Sequence, residues 1–186
     1  MPKSAKISNR TFTSRRLILM LTTVSASLGS MSAGADELVA RAKKIHERVI
    51  TLDTHVDISP DNFTPQTNYL TTPDTQVDLP RMEAGGLDAA FFIVYVGQGP
   101  LTEEGYAAAY KAAMEKFDAI HWMTEQLAPE RIALALTAEE VRDIASSGRR
   151  VALIGVENAY PMGLDLANIA RFAERGARYM SLAHNG

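Results

Sequence analysis

Two long apolar runs, each followed by a residue that breaks the run, constrain the fold of this chain more than any other feature. Residues Leu87–Val96 and Val151–Val156 are almost continuously apolar, and Gly97 and Glu157 follow them. Runs without alternation are typical of strands buried on both faces of a parallel sheet. Such strands need helices on both sides, so the two runs predict an α/β fold.

Helical patterns alternate with the strands along the rest of the chain. Two further strands are predicted at Leu52–Ile58 and Arg178–Ala183. The predicted helices are Asp36–Val49, Val77–Gly86, Thr102 to about Leu127, Thr137–Gly148 and Leu164–Arg175. This alternation indicates right-handed βαβ units and a parallel sheet. A long polar loop, Ser59–Pro80, leaves the first strand, and loops of this length often line active sites.

The first strand carries three polar side chains at alternate positions. Because strand side chains alternate between faces, Asp53, His55 and Asp57 are expected to project from one face. Burying them is costly unless a charged group meets them. A divalent metal would do so, since imidazole and carboxylate are zinc-type ligands. A hydrogen-bonded network at the strand end is the alternative.

Two more polar residues follow predicted strands, Glu157 after Val156 and His184 after Ala183. The carboxyl ends of parallel strands form the sites of (β/α) barrels and of open doubly wound sheets. No glycine-rich phosphate loop is present, which weakens the nucleotide-binding alternative. Glu157 could cap the next helix or pair with Arg149. It could also bridge two metal ions around a shared water that becomes hydroxide near neutral pH.

Residues 1–35 have the features of an export signal. Five basic residues and no acidic residue occur there, and Leu17–Leu28 is apolar but too short to span a bilayer comfortably. Ala33-Gly34-Ala35 supplies the small residues that a signal peptidase reads, and Arg15-Arg16 resembles a twin-arginine signal. We therefore expect export to the periplasm or the extracellular space, with residues 36–186 as the mature chain. A membrane anchor or a basic tail is the alternative.

Charge and cysteine content exclude several classes of function. Loss of the five basic residues would move the formal net charge from −3 to −8, which argues against nucleic acid as a partner. The chain has no cysteine. This excludes disulfides, thiolate metal sites and a cysteine nucleophile.

Three segments resemble, in order, motifs of the membrane (renal) dipeptidase family. They are Leu52–Asp57, Ile154–Asn158 and Arg178–Asn185, and the likeness runs from about Asp36 to Gly186. Members of this family are zinc-dependent dipeptidases built on a TIM-type (β/α)8 barrel. The resemblance implies dipeptides as substrates and allows a homodimer of the whole protein.

The resemblance also implies roles for individual residues. His55 and Asp57 would hold one zinc, and Glu157 would bridge it to a second. His184 would polarise the scissile carbonyl or stabilise the oxyanion, and Asp53 would orient a ligand histidine from outside the metal shell.

Family members complete the second zinc with two later histidines and use a later acid/base aspartate, for which this sequence offers no counterpart. A (β/α)8 barrel takes about 250 residues, whereas residues 36–186 supply about half the strands. We therefore expect the N-terminal half of a metal-dependent hydrolase barrel. It would hold at most one of the two zincs of the parent enzyme and be inactive alone. A small exported α/β ligand-binding module is the further alternative.

Overall fold

The computed structural model describes residues 34–71 and 74–184, so most of the predicted signal peptide, residues 1–35, lies outside the described residues. The chain divides into two units, Met1–Ile45 and His46–Gly186. A helix (α1) covers residues 34–46 and ends three residues before its predicted end at Val49. No helix in the described ranges combines the length and the apolar character that crossing a membrane requires.

A five-stranded sheet, parallel at every pairing, forms the centre of the second unit. Its strands are β1 (Leu52–Asp57), β2 (Ala89–Tyr95), β3 (Ile132–Leu134), β4 (Arg150–Glu157) and β5 (Ala177–Met180). β1, β2 and β4 lie side by side, whereas β3 and β5 pair with the first and second halves of the far edge of β4. The predicted α/β class is therefore confirmed. β5 ends at Met180, three residues earlier than predicted.

Three helices of the second unit begin at side-chain caps that the sequence carries. The helices of this unit are α2 (Leu79–Gly85), α3 (Glu103–Trp122, continued by a π-helical turn), α4 (Ala138–Ser146) and α5 (Ala167–Glu174). Asp78 caps α2, and Gly86 ends it in the left-handed region at φ +68°. A capping box opens α4, in which Thr137 and Glu140 satisfy each other's backbone N–H groups.

The main core lies on the sheet face that α2, α3 and α5 cover, which we call the outer face. Phe92 and Ile154 of the sheet pack there with Phe117 and Phe172 of the helices, all of them buried. Fully burying one such side chain contributes about 2 kcal/mol. The opposite, inner face has a smaller cluster near the strand N-termini, where Ile144 of α4 joins Ala89, Val151 and Leu153.

A polar network joins the N-terminal ends of β1, β2 and β4. The Asp88 carboxylate accepts hydrogen bonds from the Thr51 N–H at 2.9 Å and from Arg150 Nη1 at 2.8 Å. The Thr51 hydroxyl in turn accepts from the Asp88 N–H at 2.8 Å. This network fixes the relative heights of the three strands whose opposite ends carry the polar residues.

The loop after β1 is anchored by a buried aromatic residue. Tyr69 is fully buried, stacks on Phe63 at 4.8 Å and meets Phe92 edge-on at 5.9 Å between ring centroids. Its hydroxyl has no hydrogen-bond partner among the described residues. Burial, followed by the charges of Asp78 and Asp57, raises the pKa of Tyr69 to about 12.

Candidate metal centre

The predicted ligands converge because β1, β2 and β4 are parallel and end at one edge of the sheet. Asp57 aligns with Ile93 on β2, and Tyr95 at the end of β2 aligns with Glu157 on β4. Ile93, Tyr95, Asp57 and Glu157 therefore share the inner face by the period-two rule. The site lies at the carboxyl edge of the sheet, as the sequence predicts.

His55, Asp57 and Glu157 form the one group of three among the described residues whose donor atoms could hold a metal ion. One donor atom from each lies within 4.8 Å of the others. His55 Nε2 is 3.2 Å from Glu157 Oε2 and 3.6 Å from Asp57 Oδ1. One imidazole and two carboxylates fit a zinc-type divalent ion and leave a coordination position open. The Glu157 side chain is 19% exposed and that of Asp57 is 74% exposed, so the group opens to solvent on the β1 side.

Asp53 does not share the face of the other two β1 residues. The register of β1 against β2 shifts between Asp53 and Val56, so that Asp53 aligns with Ala90 on the outer-face side. The prediction of one common face is therefore wrong for Asp53, because a β-bulge adds one residue to β1 between them. Its carboxylate accepts a hydrogen bond from the His55 backbone N–H at 2.9 Å. This contact holds the main chain of the bulge.

His184 lies beside Glu157 on the side away from His55. Its Nε2 is 3.5 Å from Glu157 Oε1, whereas His55 approaches the other carboxylate oxygen. Its Nδ1 lies 3.3 Å from the Tyr95 hydroxyl, and the two rings are 4.8 Å apart. The other two histidines of the chain, His46 and His121, contact backbone carbonyls elsewhere.

Three residues of the site were missed by sequence reasoning: Tyr95, Tyr179 and Lys116. The Tyr179 hydroxyl donates to the Thr54 carbonyl at 3.1 Å, and Lys116 Nζ donates to the Ile58 carbonyl at 2.8 Å. Tyr95 could have been found, since its hydroxyl is the one polar side-chain group near the end of an apolar run.

Glycine at position 155 signals the place of Tyr179. A Cβ on Gly155 would lie 2.2 Å from Tyr179 Cζ, so the ring crosses β4 at the one residue without a side chain. A glycine inside a strand often marks such a close approach. Lys116 left no comparable signal in the helical pattern of α3.

The carboxylates of Asp57 and Glu157 place negative charge near both Tyr179 and Lys116. Burial raises the pKa of Tyr179, and the charges of Glu157 and Asp57 raise it further. Burial lowers the pKa of Lys116, while the same two carboxylates oppose that shift. A divalent cation is the natural counter-charge for this cluster.

Asn158 fixes the turn directly after Glu157. It has φ +72° and is buried. Its N–H donates to Ser181 Oγ at 2.9 Å, and its side-chain amide donates to the Val96 carbonyl at 3.0 Å. Asparagine tolerates this left-handed conformation better than most residues. The ends of β2 and β4 and the segment after β5 are thereby tied together around Glu157.

The sequence matches one family of known proteins over most of its length. The family described as membrane dipeptidase (peptidase family M19) matches residues 39–186. The chain is 26% identical over 168 residues to dipeptidase verJ of Clonostachys rogersoniana, and 30% identical over 112 residues to dipeptidase tcpJ of Claviceps purpurea. These alignments cover 84% and 58% of this chain but only 43% and 26% of the two relatives.

Solved structures share the fold of this chain. The probable dipeptidase PvdM from Pseudomonas aeruginosa matches with a TM-score of 0.74 at 22% identity, over 81% of this chain and 38% of that one. A metallo peptidase from Rhodobacter sphaeroides, liganded with a phosphinate mimic of the dipeptide L-Ala-D-Ala, matches with a TM-score of 0.62 at 25% identity. That match covers 73% of this chain and 45% of the other. Since the family match covers well over half of the sequence, the chain belongs to the membrane dipeptidase family, peptidase family M19.

Proposed function

We propose that this chain carries part of the active site of a zinc-dependent dipeptidase, which hydrolyses the peptide bond of dipeptides in the whole protein. The observation that carries the proposal is the group of His55, Asp57 and Glu157 at the carboxyl edge of the sheet. Membership of the membrane dipeptidase family supplies the reaction class. The chain spans 43% of dipeptidase verJ, which supports our proposal that the complete activity belongs to a longer protein.

His55, Asp57 and Glu157 would hold the first zinc, and Glu157 would extend its second oxygen towards another. The geometry supports this, since the two oxygens of Glu157 face different histidines at 3.2 and 3.5 Å. Divalent ions bound there would provide an activated water and polarise the substrate carbonyl. We propose two zincs in the whole protein and at most one on this chain.

His184 would act on the substrate. In the tautomer with the proton on Nε2, the Tyr95 hydroxyl donates to Nδ1 and holds the ring. The Nε2–H group then lies on the side of the ring that faces Glu157. A hydrogen bond from this group to the carbonyl oxygen would strengthen as that oxygen becomes an oxyanion.

A second candidate is a chain that binds one metal ion without turnover. The observation in its favour is that the described residues contain a single metal group, to which His184 does not belong. An exported ligand-binding module would instead bind no metal.

Zinc titration and dipeptide hydrolysis separate these candidates. We expect the purified chain to bind one zinc, to lose it in His55→Ala and to keep it in the matched control His46→Ala, whose ring bonds the Gly86 carbonyl. Dipeptide hydrolysis should stay at background in this chain and appear in the whole protein. Absence of zinc binding would contradict the metal centre. Turnover by this chain alone would contradict the division of the active site.

We further propose that the protein is exported, with Asp36 as the first residue of the mature chain. The basic start, the apolar run and Ala33-Gly34-Ala35 support this. Intact-mass measurement on secreted or periplasmic material tests it, and a retained Met1 would contradict it. Homodimerisation of the whole protein stays a prediction, to be checked by light scattering.

A further inference from the structure

Two long side chains hold the main chain on either side of the His55–Asp57 ligand pair. The Tyr179 hydroxyl binds the carbonyl of Thr54, the residue before His55, at 3.1 Å. Lys116 Nζ binds the carbonyl of Ile58, the residue after Asp57, at 2.8 Å. The donors come from β5 and α3, 125 and 58 residues away in sequence from the carbonyls that they bind.

β1 needs such support because its ladder is interrupted at the ligand. The register with β2 pairs Asp53 with Ala90 and Val56 with Phe92, leaving Thr54 and His55 in the bulge between them. Within the described ranges, β1 pairs with β2 alone. A bulged edge strand has fewer backbone hydrogen bonds to fix its position, so other contacts must set where His55 lies.

The packing around Tyr179 makes its contact specific. Its ring lies against the bare backbone of Gly155 and 5.1 Å from the ring of Phe91. The ring therefore lies over β4 and β2 on the inner face, and its hydroxyl reaches β1. The hydroxyl is the only polar group of this side chain, and it meets the Thr54 carbonyl at the far end.

Lys116 makes the corresponding contact from the helix side. It is half-buried on α3, next in sequence to the buried Phe117, and its ammonium lies 6.0 Å from the Tyr95 ring centroid. A charged group in this position is costly unless it has an acceptor, and the Ile58 carbonyl supplies one. A lysine placed only for solubility would extend into water, as Lys111 does on the same helix with 81% of its side chain exposed.

We propose that Tyr179 and Lys116 are positioning residues for the metal ligands, which set the separation of His55 and Asp57 from Glu157 by holding the two ends of the ligand pair. This inference rests on the metal centre proposed above. Removing a partner hydrogen-bonded directly to a metal ligand changes metal affinity by about 10-fold to 100-fold, and we expect these backbone contacts to act at the lower end of that range.

Cobalt(II) titration of the full chain, followed by its visible absorption, tests the inference without any activity assay. We expect Tyr179→Phe and Lys116→Met each to weaken cobalt binding about 10-fold. Lys116→Arg should restore most of the affinity, because it retains a donor. Unfolding in urea without metal is measured in parallel. Lys116→Met should change the stability little, since the gain from removing a half-buried charge offsets the loss of the hydrogen bond to the Ile58 carbonyl.

Two matched controls separate positioning from general loss of structure. Tyr160→Phe removes a hydroxyl that donates to the Pro100 carbonyl at 2.7 Å, the same type of bond outside the metal centre. Lys111→Met removes an exposed lysine from the same helix. Both controls should bind cobalt as the unmodified chain does.

Each outcome decides a different statement. If the unmodified chain binds no cobalt, the metal centre and this inference both fail. If it binds, but Tyr179→Phe and Lys116→Met bind equally well, only the inference fails. Equal weakening in Tyr160→Phe would also overturn it, because the effect would then reflect general stability.

Discussion

Replacing Gly155 with alanine should displace the Tyr179 ring and free the Thr54 carbonyl. The new Cβ would lie 2.2 Å from Tyr179 Cζ and 2.5 Å from its hydroxyl oxygen. Non-bonded carbon atoms settle at about 3.5 Å, so the ring must move by more than 1 Å. The hydroxyl is already 3.1 Å from the Thr54 oxygen, and such a shift breaks that hydrogen bond.

The expected cost follows from three terms. Overpacking in a filled site costs about 1–3 kcal/mol, and the lost hydrogen bond about 1 kcal/mol. Alanine recovers about 0.4–1 kcal/mol by restricting the unfolded chain, since Gly155 does not use a left-handed conformation. The net prediction is a loss of about 2 kcal/mol in the free energy of unfolding.

A double-mutant cycle in urea, monitored by circular dichroism, measures the contact itself. In a Tyr179→Ala background the methyl group has room, so Gly155→Ala should be neutral or slightly stabilising there. Gly85→Ala is the matched control, because nothing lies within 4 Å of its Cβ position, and its effect should be the same in both backgrounds. If Gly155→Ala costs the same with and without the Tyr179 ring, the argument from close packing is refuted.

Three further predictions concern other parts of the chain. Glu157→Gln should weaken zinc binding by at least about 100-fold, more than the loss of an outer contact, and isothermal titration would show an unchanged affinity if Glu157 is not a ligand. Asp88→Ala should lower the free energy of unfolding by about 3 kcal/mol, because Arg150 loses its carboxylate partner, and a loss below 1 kcal/mol in urea would contradict this. Tyr69→Phe should remove a loss of folding stability that the wild-type chain shows at high pH. Because the folded state raises the pKa of Tyr69 from 10.0 to about 12, the phenol contributes stability below pH 10 that is lost as the pH rises towards 12. The wild-type chain should therefore lose about 3 kcal/mol relative to Tyr69→Phe over that range, and parallel pH profiles would refute the assignment.

The sequence predicts four of the five strands, all except the short β3, and the positions of the proposed ligands, because both depend on local patterns. The apolar runs that became β2 and β4 needed only burial on two faces, and Glu157 stands where the second run stops. His55 and Asp57 are the polar residues of the last half of β1. Parallel strands then bring the strand ends together without further information.

The bulge in β1 and the two long contacts were not predictable in the same way. One extra residue between Asp53 and Val56 moves Asp53 to the other face, and period-two reasoning assumes that no such residue exists. Tyr179 and Lys116 meet β1 through tertiary contacts, which leave no periodic trace in their own segments. Gly155 was the available signal for Tyr179, since a glycine within a buried strand often marks the close approach of another group.

The position of α4 determines from which side the proposed metal centre is accessible. Ile144 of α4 packs with Ala89, Val151 and Leu153 near the start of the strands, on the same face that carries Glu157 at their end. The helix thus covers the inner face below the proposed metal ligands, which leaves the carboxyl edge of the sheet as their side open to solvent. Changes in the loops at that edge can therefore alter access to the ligands, while the packing and the strand network at the opposite edge stay unchanged.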